Sequence, residues 1–273
     1  MAQGSEGRYV LRRLGAAGLA LACLVGLGVA AIAAAPTTLP LLSAPCSVTT
    51  GDGEIGLSRE KARSVTTLAA VAVRDGVPAG QLDAAVAAVL AGPDDVLPLA
   101  EAPARLDAPS PVAPDVDSAA VAAAVLGQAQ GAMACRTSPA PSSGESEGDS
   151  GLTPRAERLR AEMEGAFGPQ SLGGFAPGGV RDGHIEGSAH YEGRAIDVFF
   201  RPVTPESTAR GWALSHWLVA HADELDLAVV IFDRQLWSAR RSDAGWRPYR
   251  HPSGDMDNPV LAHEDHVHVD VAR

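Results

Sequence analysis

The sequence predicts an α+β protein whose last 120 or so residues form a mostly antiparallel sheet with helices, preceded by a transmembrane helix and a small helical domain. Three observations predict it. Residues 14–35 form an apolar run without a charge; between residues 58 and 134 apolar positions recur at three and four residues; after residue 150 short apolar strands and helices alternate without a regular βαβ beat. The chain has 273 residues, 46% hydrophobic and 20% charged, with a formal net charge of -11. That balance excludes a disordered polyanion and a multi-span membrane protein, and it argues against a nucleic-acid partner, whose binding surface should be basic. All 8 His, 4 Trp and 5 Phe lie after residue 150, so the chemistry is expected there.

Residues 1–40 read as a cytoplasmic tip and an anchor. Arg8, Arg12 and Arg13 precede the apolar run, which as a helix spans about 33 Å, enough for a bilayer core. The cationic flank stays cytoplasmic, so the expected protein is single-pass in the cell membrane with everything after Pro36 extracytoplasmic. Ala33, Ala34 and Ala35 resemble a signal-peptide cleavage site, but Pro36 directly after them hinders cleavage and favours the uncleaved anchor.

Residues 41–136 are expected to form the small helical domain. Ser58 is placed to cap a first helix that Gly76 stops; a second helix is expected over 79–90 and a third over 115–134, after a Pro-rich stretch. Cys46 and Cys135 bracket this segment, either as a disulfide or as two buried thiols. The segment holds no His or Trp and reads as a spacer or as a contact for another cell-envelope protein. Residues 137–151, rich in Ser, Pro, Gly and Glu, are expected to be a disordered linker.

Residues 152–273 are expected to form the working domain. Helices are predicted over 155–167 and from Thr204-Pro205-Glu206 to near 225, with strands at 195–200, 227–232, 235–239 and 267–271. Trp212 and Trp217 have a helical spacing that suits the core better than a glycan groove.

Two clusters carry the chemistry. In residues 188–197, His190 stands seven positions ahead of Asp197, with Gly193 supplying a turn and Asp197 inside a strand. Near the end, alternation puts His266, His268 and Asp270 on one strand face and Val267, Val269 and Val271 on the other, a metal-binding edge over an apolar core. Two neutral imidazoles and a carboxylate suit zinc with an open fourth position, where a bound water ionises near neutral pH.

The pattern Ser188-x-His190-x-x-Gly193-x-Ala195-x-Asp197, followed by His266-x-His268, resembles the zinc D-alanyl-D-alanine carboxypeptidase and murein endopeptidase family, of the lysostaphin, D-Ala-D-Ala peptidase and hedgehog fold group. The resemblance covers residues 152–273. It implies His190, Asp197 and His268 as zinc ligands, with Ser188 and Arg181 at the substrate; Val180 stands where the family has an aromatic residue before that Arg. For the catalytic base there are two candidates, His266, which shares a strand face with His268, and Asp265, which lies in the turn before the strand. His266 is favoured, with Asp265 orienting an imidazole. The other histidines, His184, His216, His221, His251 and His263, are assigned to solvent or ordinary hydrogen bonds. The expected function is a membrane-anchored zinc metallopeptidase acting on peptidoglycan stem peptides. The competing reading is an inactive cell-wall binding or scaffold protein whose zinc is structural, distinguished by a fourth protein ligand such as His184 or His263.

Overall fold

The computed structural model describes residues 44–108, 111–113 and 115–273. The expected anchor at 14–35 lies outside the described residues; among those described, no helix is long and apolar enough to cross a membrane.

Strands β1 (Cys46–Thr50) and β2 (Gly53–Leu57) form a hairpin that leads into α1 (Arg59–Asp75). The Ser58 side chain accepts the Lys61 N–H at 3.2 Å and Gly76 ends the helix in the left-handed conformation, as the capping signals require. Helices α2 (Ala79–Ala91), α3 (Ala102–Asp107) and α4 (Val116–Ala123) follow, the last with a reciprocal Asp115–Ser118 cap.

The third expected helix is shorter than its periodicity suggests. After Ala123 the chain widens into a π turn, Ala124–Gln128, and residues Met133–Cys135 become strand β3. The reason is tertiary: Gly127 adopts φ 83, and a Cβ there would stand 1.9 Å from the Ala209 carbonyl oxygen, so the backbone of a distant helix takes the space a continuing helix would need. β3 pairs with β1 in a sheet of order β2-β1-β3. Cys46 and Cys135 are direct partners across that pair and form a disulfide, which resolves the two sequence alternatives.

The rest of the chain supplies α5 (Pro154–Phe167), β4 (Leu172–Gly173), β5 (Ala195–Phe199), α6 (Pro205–Ala220), β6 (Leu227–Phe232), β7 (Gln235–Ser238), β8 (Arg247–Pro248) and β9 (His266–Val271). The strands form an antiparallel sheet of order β4-β5-β9-β6-β7-β8. The class is therefore α+β with antiparallel sheets, as expected. α6 ends at Ala220, five residues short of the prediction, in a run of turns closed by the Leu225 N–H to His221 carbonyl bond. Val267, Val269 and Val271 are fully buried beneath β9, and Trp212, Trp217 and Trp237 are core side chains, not a glycan groove.

The expected division into a separate 41–136 domain, a free linker and a 152–273 domain needs correction. All described residues belong to one compact unit. α1 lies against α6, and Val65, Leu68 and Val71 share one continuous core with Leu214, Leu218 and Phe232. The apolar faces of the two halves are buried against each other. Residues 137–151 have no helix or strand, yet they are tied down: Thr137 N–H donates to Ser242 Oγ at 2.9 Å, Ser143 N–H to the Arg273 carbonyl at 2.8 Å, and Arg155 N–H to Glu145 Oε2 at 2.9 Å.

Candidate metal centre

Each member of the site is placed by a local device. Ser188 caps the short 3-10 turn Ala189–Glu192, its hydroxyl accepting the His190 N–H at 3.4 Å, and Gly193 ends that turn in the left-handed region. The turn holds His190 with its ring 2% exposed. Asp197 on β5 is the direct cross-strand partner of His268 on β9, so their side chains rise from the same face of the sheet. Adjacent strands thus supply two groups and the turn before β5 supplies the third.

The three groups converge. His190 Nε2 lies 3.0 Å from His268 Nδ1 and 3.3 Å from Asp197 Oδ1, and His268 Nδ1 lies 3.1 Å from Asp197 Oδ1. Tetrahedral zinc with bonds of about 2.0–2.2 Å sets its ligand atoms roughly 3.3–3.5 Å apart, so this spacing is nearly that of an assembled site. The outer atoms agree. His190 Nδ1 donates to the Gly174 carbonyl at 2.7 Å, which leaves the Nε2 lone pair facing inward, and His268 Nε2 is paired with Asp270 Oδ1 at 2.7 Å, which turns Nδ1 inward. Two imidazole lone pairs and a carboxylate cannot face one another this closely without a cation between them or a proton shared among them.

The electrostatics follow from that crowding. Burial alone would raise the Asp197 carboxyl, but hydrogen bonds from His190 and His268 outweigh it and hold the group well below the usual carboxylate range. Burial would lower His268, yet Asp270 and Asp197 push it up to about 10.

Beside this cluster stands a second arrangement. His266 Nδ1 donates to Asp265 Oδ1 at 2.7 Å, and its Nε2 faces the site 3.8 Å from Asp197 Oδ1. Asp265 Oδ2 in turn accepts from Arg201 Nε at 2.6 Å. Both Asp265 and His266 are buried, and Asp265 is lowered despite burial by its bonds to His266 and Arg201. Asp265 thus stands between the His266 imidazole and the Arg201 guanidinium.

Other residues fall differently from the sequence reading. His184 is not a solvated bystander: its ring stacks on His190 with centroids 3.9 Å apart and planes 22° apart, and the donor atoms of His184, His190 and Asp197 lie within 4.8 Å of one another, a group that could hold a metal ion. Two nearly parallel rings cannot both aim in-plane lone pairs at one point about 2 Å away, so in this orientation His184 walls the group at the His190 ring. His263 also belongs here, packed between Tyr249 at 4.8 Å and His266 at 4.6 Å, where burial pushes it down to about 3. His216 in α6 and His221 just past its end are buried; His216 Nε2 accepts the Ala132 N–H at 3.0 Å and His221 Nδ1 donates to the Trp217 carbonyl at 2.8 Å.

The two expected substrate residues are engaged elsewhere. Ser188 spends its hydroxyl on the turn that presents His190. Arg181 is exposed and forms a forked pair with Glu147 at 3.2 and 3.3 Å, with further bonds to the Gly178 and Val180 carbonyls. Sequence reasoning overlooked Arg201, for which no spacing signal exists, and undervalued His263, whose offset of three from His266 was visible.

Residues 148–260 match the family described as VldE, C-terminal domain. The matched stretch is well under half of the chain; it includes His190 and Asp197 and ends before His266 and His268. No curated protein and no solved structure matches this chain.

Proposed function

We propose that this chain is a membrane-anchored zinc metallopeptidase that hydrolyses peptide bonds in bacterial peptidoglycan stems, with a hedgehog and D-Ala-D-Ala-peptidase-like working part facing the extracytoplasmic side. One observation carries the reading: His190 Nε2, Asp197 Oδ1 and His268 Nδ1 converge within 3.0–3.3 Å beside an oriented His266–Asp265 pair. The donor set and its spacing suit zinc better than hard cations, which prefer oxygen ligands. When bound, zinc supplies a Lewis acid that polarises a carbonyl and brings the ionisation of water near neutral pH.

The chain's own residues do the rest. Asp265 accepts the Nδ1 proton of His266 and so leaves Nε2 free to take a proton at the site and return it to the leaving amine. Gly174 and Asp270 hold the two ligand imidazoles against rotation. The nearby ring of His184 and the buried imidazole of His263 limit water around the reacting atoms.

A second reading, an inactive cell-wall binding or scaffold protein with a structural zinc, is favoured by one observation, the closeness of His184 to the ligand group. Turned inward, that ring would close the fourth position. The test uses the full chain in detergent, supplied with zinc and purified peptidoglycan, with products identified by mass and metal measured by elemental analysis. About one zinc per chain, most of it lost in His268→Ala, together with released stem-peptide products, is the expected result. Full zinc occupancy in His268→Ala refutes the ligand set, and bound zinc without any released product from the wild type replaces the enzyme with the scaffold reading.

A further inference from the structure

We propose that Arg201 receives a carboxylate of the substrate beside the bond to be cut. The inference rests on the peptidase reading and names the group that reads the substrate. Arg201 lies two residues past the end of β5, directly after the Phe199–Phe200 pair. Phe199 is the cross-strand partner of His266, and Phe200 N–H donates to the Asp265 carbonyl at 2.8 Å, so the backbone register sets Arg201 next to the His266–Asp265 pair.

Its guanidinium is held on two sides and open on the third. Nε donates to Asp265 Oδ2 at 2.6 Å, and the group lies over the Phe199 ring at 4.2 Å from the centroid. The two terminal nitrogens make no hydrogen bond to the described residues, and the side chain is 51% exposed. Each Asp265 oxygen already has a partner, Oδ1 in His266 and Oδ2 in Arg201. What remains is a fork of N–H donors whose rotamer freedom has been removed in advance by the carboxylate and the ring, the arrangement that binds a carboxylate in two-point fashion.

Arg181 presents the opposite case. Its terminal nitrogens are already engaged by the Glu147 carboxylate and by two backbone carbonyls, so a substrate carboxylate would have to displace a covalently tethered one. The whole chain carries a formal charge of -11, so an anionic substrate needs a local cation with N–H donors to spare. Arg201 is such a cation and touches the residue that orients His266.

The experiment compares two N-acetylated peptides ending in D-Ala-D-Ala, one a free acid and one a C-terminal amide. Their binding to the full, metal-stripped chain is measured by calorimetry, and kcat/KM is measured separately on the zinc-loaded chain. Wild type should bind the acid roughly 10- to 100-fold more tightly than the amide, as expected when a charged, two-point hydrogen bond is lost. Arg201→Gln should bring acid binding down to the level of the amide, and Arg201→Lys should restore part of the preference. A role confined to holding Asp265 would leave the ratio intact in both variants and would overturn the proposal. So would a wild type that binds neither peptide, or a preference that survives in Arg201→Gln and vanishes in Arg181→Gln. An acid preference in binding without hydrolysis would refute the peptidase reading and keep the carboxylate site; hydrolysis of both peptides at equal rates, with no acid preference in binding, would do the reverse.

Discussion

Gly174→Ala tests whether the outer contacts of the proposed metal centre set its affinity. Gly174 adopts φ +79, a conformation that costs an Ala about 1–2 kcal/mol. The added Cβ would lie 2.2 Å from His190 Cε1, 2.4 Å from His190 Nδ1 and 3.0 Å from Asp197 Oδ2. Non-bonded carbons settle at about 3.5–4.0 Å, so the His190 ring must retreat by about 1.3 Å or more, and its 2.7 Å bond to the Gly174 carbonyl is distorted with it. Loss of such a contact lowers metal affinity by roughly 10- to 100-fold, or about 1.4–2.7 kcal/mol. Gly178→Ala is the control: Gly178 has φ +82 but nothing within 4 Å of its Cβ position, so it shares the backbone cost without the contact. Zinc dissociation constants from competition with a chromophoric chelator, and the zinc-dependent rise in unfolding temperature, measure the two variants side by side. Gly174→Ala should lose most of that rise, because zinc at 100 times the wild-type Kd stabilises by about 2.7 kcal/mol and a 100-fold weaker site by only about 0.4. Zinc affinity in Gly174→Ala within twofold of Gly178→Ala would refute the reasoning.

Three further outcomes follow from the geometry. His266→Ala should retain zinc while turnover falls by roughly two orders of magnitude or more, and Asp265→Asn should lose less because it removes only the orientation of His266; the reverse ranking in steady-state assays would make Asp265 the base. Burial depresses His216 to about 3 and His221 to about 4, below the ordinary value near 6.5 that they regain on unfolding. Their contribution is complete above pH 6.5 and is lost as pH falls, by about 1.4 kcal/mol per pH unit for each, until His221 protonates near 4 and His216 near 3. Urea midpoints should therefore fall between pH 6.5 and 4, and a His216→Gln, His221→Gln chain that still folds should show a flatter profile. Replacing both Cys46 and Cys135 by Ser opens a loop with a sequence separation of 89 and should cost about 4–5 kcal/mol on chain entropy, read from denaturant unfolding; an unchanged midpoint would show that packing alone holds β1 to β3.

Much of this protein was determined locally. Ser58 and Gly76 bound α1, Thr204-Pro205 starts α6, and the alternation of His266, His268 and Asp270 with three valines orients β9, because caps and side-chain periods act over a few residues. The spacing of His190 and Asp197 was legible for the same reason: a cap, a turn and a strand fit within ten residues. Other features depended on chain segments far apart. The π turn at Ala124–Gln128 exists because α6 approaches Gly127, the two halves form one unit because their apolar faces are buried against each other, and residues 137–151 are held by partners such as Ser242 and Arg273. Arg201 meets Asp265, and His184 stacks on His190, only through the pairing of β5 with β9 and the fold of the 174–188 loop. Composition and period set which face of an element is apolar; which polar groups then stand within 3 Å of one another is decided by the packing of those faces, and there the tertiary structure alone had the answer.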